Sequence, residues 1–230
     1  MIRENLEIIE NQIKEAAALS PYKQNVRLIA VSKTKPESDI MQAYDAGIRD
    51  FGENKVQELC SKYEDLPKDI RWHLIGHLQR NKVKYVVDKA YLIHSVDSLK
   101  LAQEIEKEAA KRDISVNILV QVNVSGEESK FGISSAEAPA LVEAISEMPH
   151  INVRGLMTIA PACDDPEEAR PVFKELKKLS IDIDSFNSDN NRKCELSMGM
   201  SGDFQCAVAE GATFVRIGSS IFGARNYNLT

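Results

Sequence analysis

Short β-prone runs alternate with helix-like stretches along nearly the whole chain, and this alternation limits the fold more than any single motif does. The runs fall at 26–33, 50–54, 71–76, 91–97, 116–124, 153–158, 195–200 and 214–219. Helical spacing is clearest at 98–112, 137–148 and 167–180, where Leu, Ile and Val recur every three or four residues. Repeated strand–helix units imply a parallel sheet under helical cover, and eight of them predict a closed (β/α)8 TIM-type barrel. Each strand but the last is expected to lead into a full helix. Ser98 and the Ser201-Gly202-Asp203 stretch read as helix caps, and Gly47 and Gly211 as helix stops. An extra N-terminal helix is expected over residues 2–19, with Ile2, Leu6, Ile9 and Ile13 on one face and Ser20-Pro21 ending it. Such a helix would cap one end of the barrel. A doubly wound open sheet would carry a glycine-rich first turn, and "SKTKPES" is not one. No linker interrupts the pattern, so residues 1–230 are read as one domain whose leading helix lies within 1–22.

Charge and cysteine usage narrow the partners. The chain has 29 Lys and Arg against 35 Asp and Glu, a net charge of −6, with no long basic block. Nucleic acid and membranes are therefore not expected partners, and any anion site must be local. Four scattered cysteines form no C-x-x-C pair and only four histidines are present, so no metal site is expected. "MIRENLEIIE" has no signal-peptide core, and no apolar run approaches the roughly 20 residues of a membrane span. The expectation is a soluble, reduced, cytoplasmic protein.

In a barrel of this kind, chemistry collects where the strands end. Those ends read Ser32-Lys33-Thr34-Lys35, Gly52-Glu53-Asn54, Gly76-His77, His94-Ser95, Asn123 to Gly126, Met157-Thr158, Met198 to Gly202 and Arg216 to Ser220. Lys33 has three readings: a solvated lysine paired with Glu53, a point charge for phosphate, or an amine poised to form a Schiff base. Two small-residue junctions, "SMGMSGD" and "RIGSS", follow the seventh and eighth strands, where barrels frequently bind phosphate on backbone N–H groups. Strand 8 closes against strand 1, so these loops neighbour Lys33. A ligand with both an aldehyde and a phosphate suggests pyridoxal 5′-phosphate (PLP). A Schiff-base aldolase acting on phosphorylated sugars is the alternative that these residues alone leave open.

Longer motifs carry a resemblance. "AVSKTKP" at 30–36, "FGENKVQE" at 51–58, "WHLIGHLQRNK" at 72–82, "HSVDS" at 94–98 and "VNVSGEESKFG" at 122–132 are joined by "GLMTIAP" at 155–161, "LSMGMSGDF" at 196–204 and "GATFVRIGSSIFGAR" at 211–225. In this order, over nearly the whole chain, they resemble the YggS/PROSC-type pyridoxal phosphate homeostasis proteins, which are similar to the N-terminal barrel of alanine racemase. The resemblance implies PLP as cofactor, with Lys33 forming its aldimine and Ser201, Gly218 and Ser219 contributing a phosphate cradle. It places Arg216 near the pyridine nitrogen and Asn54 near the cofactor. An arginine there would leave the ring neutral and weaken carbanion stabilisation. His77 is open between a site and a structural role, and Met157 and Met198 read as packing. Alanine racemase-like enzymes add a C-terminal β-domain that supplies a second base, and none is expected in a chain read to Thr230. The function implied is intracellular PLP (vitamin B6) homeostasis by a monomer that holds the cofactor and delivers it transiently to apo-enzymes, with no catalytic residue assigned. Two alternatives are a low-activity amino-acid racemase or lyase and the aldolase.

Overall fold

Eight short parallel strands close into a barrel in strict chain order, each pairing with the next and the last with the first. They are β1 Arg27–Val31, β2 Asp50–Glu53, β3 Arg71–Leu74, β4 Leu92–Val96, β5 Val116–Gln121, β6 Ile151–Met157, β7 Glu195–Ser197 and β8 Phe214–Ile217. This computed structural model describes residues 1–184 and 194–223; residues 224 and 225 of the last motif, and the chain end, lie outside the described residues. Closure is direct: Arg27, Leu28, Ile29 and Ala30 of β1 lie beside Phe214, Val215, Arg216 and Ile217 of β8. The helices are α1 Ile2–Leu19, α2 Glu37–Asp45, α3 Val56–Asp65, α4 Val83–Val86, α5 Leu99–Ala110, α6 Ala138–Ser146, α7 Arg170–Asp184, α8 Phe204–Ala209 and α9 Ser219–Phe222. None of the described helices is long and apolar enough to cross a membrane.

Local chemistry explains most boundaries. Helix α1 buries Ile2, Leu6, Ile9 and Ile13, spaced to form one stripe. It packs against α2, α8 and α9 at the seam between β8 and β1, where Asn5 Nδ2 donates to the Ile221 carbonyl at 2.9 Å. Ser98 caps α5, its hydroxyl accepting from Leu101 N–H. Gly47 and Gly211, with φ of +106° and +98°, sit just past α2 and α8, in a left-handed conformation that L-residues other than glycine resist.

Three expectations are corrected. The first strand stops at Val31, because Lys35 N–H donates to the Ser32 carbonyl at 3.0 Å and turns the chain. A full helix does not follow β3, which leads instead into a 3-10 turn, Arg80–Lys82, and one turn of α4. Asp203 does not cap α8 with its side chain; its Oδ1 accepts from Met200 N–H at 2.6 Å and shapes the loop before the helix.

The core has two parts. A large apolar layer lies between strands and helices, including Trp72, Phe51, Phe173 and Leu59. Inside the barrel, Ile29, Leu92, Leu119, Met157 and Phe214 form a smaller cluster. Polar side chains share that interior. Asp50 accepts from Arg71 Nε at 2.8 Å and Nη2 at 2.6 Å, and lies 2.9 Å from His73 Nε2. Burial pushes the Asp50 carboxyl up, but the hydrogen bonds from Arg71 and His73 outweigh it and hold the group far below its ordinary value. A carboxylate lowered in this way stabilises the fold above its unfolded value, and the contribution is lost as pH falls through the folded value. Asp50→Asn is therefore expected to flatten the acid limb of stability. Urea midpoints between about pH 5 and pH 3 should fall less steeply in the variant than in the native chain; equal slopes would count against this role for Asp50.

Candidate functional site

At the C-terminal ends of the strands lies a cavity of about 320 Å³, lined by Val31 at the end of β1, Lys33 and Lys35 from the loop after it, Asn54 and Ile75 from the next two, and Ile159 after β6. Met200, Ser201 and Gly202 after β7 complete the wall, with Arg216, Gly218, Ser219 and Gly223 around β8. The structure brings together all six residues singled out in the sequence: Lys33, Asn54, Ser201, Arg216, Gly218 and Ser219. Lys35, Ile75, Ile159 and Met200 were not assigned to the site there. The cavity holds three cationic side chains, Lys33, Lys35 and Arg216, and its described lining contains no carboxylate. In a chain of net charge −6 this is a local focus for an anion. A second cleft, of about 370 Å³, lies behind Ser201 and Gly202 against Asn5, Ile9 and Gln12 of α1. Among its described lining residues the one charged group is Asp203, which suits no anion.

Lys33 is half-buried at the second position of the Ser32–Lys35 turn. Thr34 follows it with φ +63°, a left-handed conformation that β-branched residues resist and that costs roughly 1–3 kcal/mol. The turn is clamped from behind. Thr34 N–H donates to Glu58 Oε1 at 2.6 Å, and Lys62 Nζ donates to the Ser32 carbonyl at 2.8 Å. Lys62 also reaches Glu53 Oε1 and Glu58 Oε1, both at 2.7 Å, and the Ser32 hydroxyl donates to Glu53 Oε1 at 2.6 Å. Burial raises the Glu53 carboxyl above its ordinary value, while Lys62 and Ser32 pull it back. Glu53, the partner envisaged for Lys33, gives its Oε1 to Lys62 and Ser32. Lys62 escaped notice in the sequence, although Glu58 and Lys62 stand at the i, i+4 spacing of a helical ion pair.

The opposite wall is built from close backbone approaches. Gly199 has φ +92°, and a Cβ there would lie 2.6 Å from Ala207 Cβ, so only glycine lets the chain double back and deliver Met200, Ser201 and Gly202 to the cavity. Gly218 N–H donates to Ser201 Oγ at 3.4 Å, tying the β7 and β8 loops together. A side chain on Gly76 would collide with the Asn54 carbonyl at 2.3 Å; its absence lets the loop after β3 brace Asn54. Lys35 Nζ donates to the Phe222 carbonyl at 2.9 Å, at the end of α9.

Arg216 is buried at the cavity floor. Nη1 donates to Ser197 Oγ at 2.5 Å and Nη2 to the Thr158 carbonyl at 2.9 Å. Burial pushes its pKa down to about 10, against a weak opposing pull from Asp203. His77 does not line the cavity: its ring stacks on Phe131 at 4.1 Å, with Nδ1 3.7 Å from Asp97. Met157 and Met198 are wholly buried packing residues.

With this geometry the comparisons with known proteins agree. Residues 5–226 match the family model described as alanine racemase, N-terminal domain. The chain is 43% identical over 226 residues to the pyridoxal phosphate homeostasis protein of Aquifex aeolicus, covering 97% of this chain and 98% of that one. It is 38% identical over 234 residues to the protein of the same name from Escherichia coli, covering 99% and 98%. Among solved structures, PipY of Synechococcus elongatus with PLP bound superposes with a TM-score of 0.83 at 38% identity, over 97% of this chain and all (100%) of that one. An alanine racemase from Clostridium difficile shares the fold, with a TM-score of 0.74 at 15% identity, over 98% of this chain and 58% of the racemase. On barrel order, motif content and these likenesses, the chain belongs to the family of pyridoxal phosphate homeostasis proteins, built on the barrel of the alanine racemase N-terminal domain.

Proposed function

We propose that this protein binds PLP in the cavity at the strand ends, holds it through Lys33 and passes it on, as part of intracellular PLP homeostasis. The observation that carries this reading is the composition of the cavity: its described lining offers three cations, two small-residue loops and no carboxylate around a space of about 320 Å³. PLP supplies an aldehyde that condenses with amines and a phosphate that needs donors. Lys33 offers the amine, and Ser201, Gly218 and Ser219 offer hydroxyl and backbone donors from a helix start and the loop beside it. Arg216 would donate from the floor, and a permanent cation beside the pyridine nitrogen of bound PLP would leave that ring neutral. Asn54 closes the side.

A holding role fits the lining better than turnover does. Proton transfer at a bound amino acid needs a second acid or base on the face opposite Lys33. No His, Tyr, Cys, Asp or Glu is found among the described lining residues, and Lys35 donates to the Phe222 carbonyl. The protein is proposed to act in the cytoplasm as a monomer and to meet apo-enzymes only transiently.

The test is a titration of the purified protein with PLP. A new band toward the visible, fixed to Lys33 by borohydride, is expected, followed by loss of that band when an apo-enzyme is added. Turnover of a single amino-acid enantiomer, seen by chiral chromatography, would overturn the holding role. A chain that PLP leaves spectrally unchanged would overturn the whole reading. Joint replacement of Ser201 and Ser219 by alanine is expected to weaken PLP retention roughly tenfold, the effect of losing hydrogen bonds to a charged group, with an unchanged melting curve.

A further inference from the structure

The inside of a barrel of this type is ordinarily filled by branched apolar side chains. Here one side of it is a line of polar groups running from the N-terminal ends of the strands to the cavity floor. Arg216 Nη1 lies 2.5 Å from Ser197 Oγ, and Ser197 Oγ lies 2.8 Å from His94 Nδ1. His94 Nε2 lies 2.9 Å from His73 Nδ1, and His73 Nε2 lies 2.9 Å from Asp50 Oδ1. Both histidines and Ser197 are completely buried.

The ends fix the middle. An arginine only donates and a carboxylate only accepts. If each link is filled once, Ser197 accepts from Arg216 and donates to His94, which donates from Nε2 to His73, which donates from Nε2 to Asp50. Both histidines are then neutral Nε2–H tautomers and every proton has an acceptor. The reverse polarity would make His73 a buried cation and leave the Ser197 proton without a partner. Burial holds both rings below the ordinary histidine value; Arg27 and Arg71 add to this at His73 and Arg216 and Arg27 at His94, while Asp50 pulls His73 back up. Buried polar chains of this kind are costly unless fully satisfied, and this one is.

We propose that His94 and His73 are positioning residues, which act through Ser197 to hold the Arg216 guanidinium at the cavity floor in a hydrogen-bond chain of one polarity anchored on Asp50. The chain is independent of any ligand. Its consequence for PLP rests on the reading above.

Two measurements test it. Long-range 1H–15N spectra of the protein without added PLP should show both buried imidazoles as neutral Nε2–H tautomers from about pH 8 to pH 6. An Nδ1–H tautomer or a cation at either ring would overturn the chain. Ser197→Ala then cuts the link between Arg216 and His94 without touching the cavity lining. It is expected to weaken PLP retention about tenfold and to move the absorption maximum of bound PLP. His94→Gln, which keeps one donor and one acceptor, should stay within about threefold of the native chain, whereas His94→Leu should match Ser197→Ala. Leu119→Val, in the same interior but outside the chain, controls for softening of the barrel and should leave the band in place. Unchanged affinity and band in Ser197→Ala, with PLP still bound by the native protein, would overturn the positioning role while sparing the proposed function. Failure of the native protein to bind PLP, with the tautomers as expected, would sink the proposed function and leave the chain standing.

Discussion

Lys33→Ala is expected to remove the PLP band completely, to abolish borohydride trapping, and to leave the fold within about 0.5 kcal/mol of the native stability. The stability expectation follows from position: Lys33 is half-buried on a surface turn that is braced by hydrogen bonds of Ser32, Thr34 and Lys35. The binding expectation follows from chemistry, because alanine has no amine to meet an aldehyde. Lys33→Arg refines the test. It keeps the positive charge but lacks a nucleophilic amine at neutral pH, so it should bind phosphate-bearing vitamers non-covalently yet never be trapped. Residual PLP affinity in either variant should be at least tenfold weaker. Trapping that persists in Lys33→Ala, at Lys35 or elsewhere, would refute the assignment of Lys33.

A larger loss of stability is expected one layer behind. Lys62→Met leaves Glu53 wholly buried without its cation, and removing one partner of a buried pair costs about 3–5 kcal/mol. It also frees the Ser32 carbonyl and loosens Glu58, which holds the strained Thr34. Lys33 should therefore react more slowly with PLP even where the variant remains folded. The pH dependence has a definite sign. Burial already raises Glu53, and losing Lys62 raises it further. A carboxyl raised in the folded state loses stability as pH rises through that value and recovers it below. The gap between Lys62→Met and the native chain should be widest near neutrality and narrow on acidification. Adding Glu53→Gln should restore more than half of the lost stability at neutral pH. Denaturant midpoints across pH decide this, and a pH-independent gap would argue that Glu53 is not the group left stranded.

These two residues also mark how far the sequence could be read. Eight strands, the leading helix and the Lys33 and Gly218 loops were legible because each follows from local periodicity or from residues adjacent in the chain. The Lys62 clamp and the Asp50–His73–His94–Ser197–Arg216 line were not. Both join side chains whose meeting depends on register between separate strands, and Ser197 and His94 lie 103 positions apart. Even so, Glu58 and Lys62 on one helical face, and two histidines within strand runs, were visible signals. The missing helix after β3 is a different case, since "GHLQRNKVKY" has helical composition but spends it on a 3-10 turn and a single helical turn.

The seam between β1 and β8 has a consequence for biogenesis. Lys33 comes from the first strand loop, and Arg216, Gly218 and Ser219 from the last, so a nascent chain has half a cavity until its final strand is made. A ligand bridging the two halves binds only the closed barrel, and at a hundredfold excess over its Kd would favour that state by about 2.7 kcal/mol. Truncated or misclosed copies gain nothing from it. Cofactor capture would then act as a quality check on completed chains, coupling the lifetime of the protein in the cell to the supply of the molecule it holds.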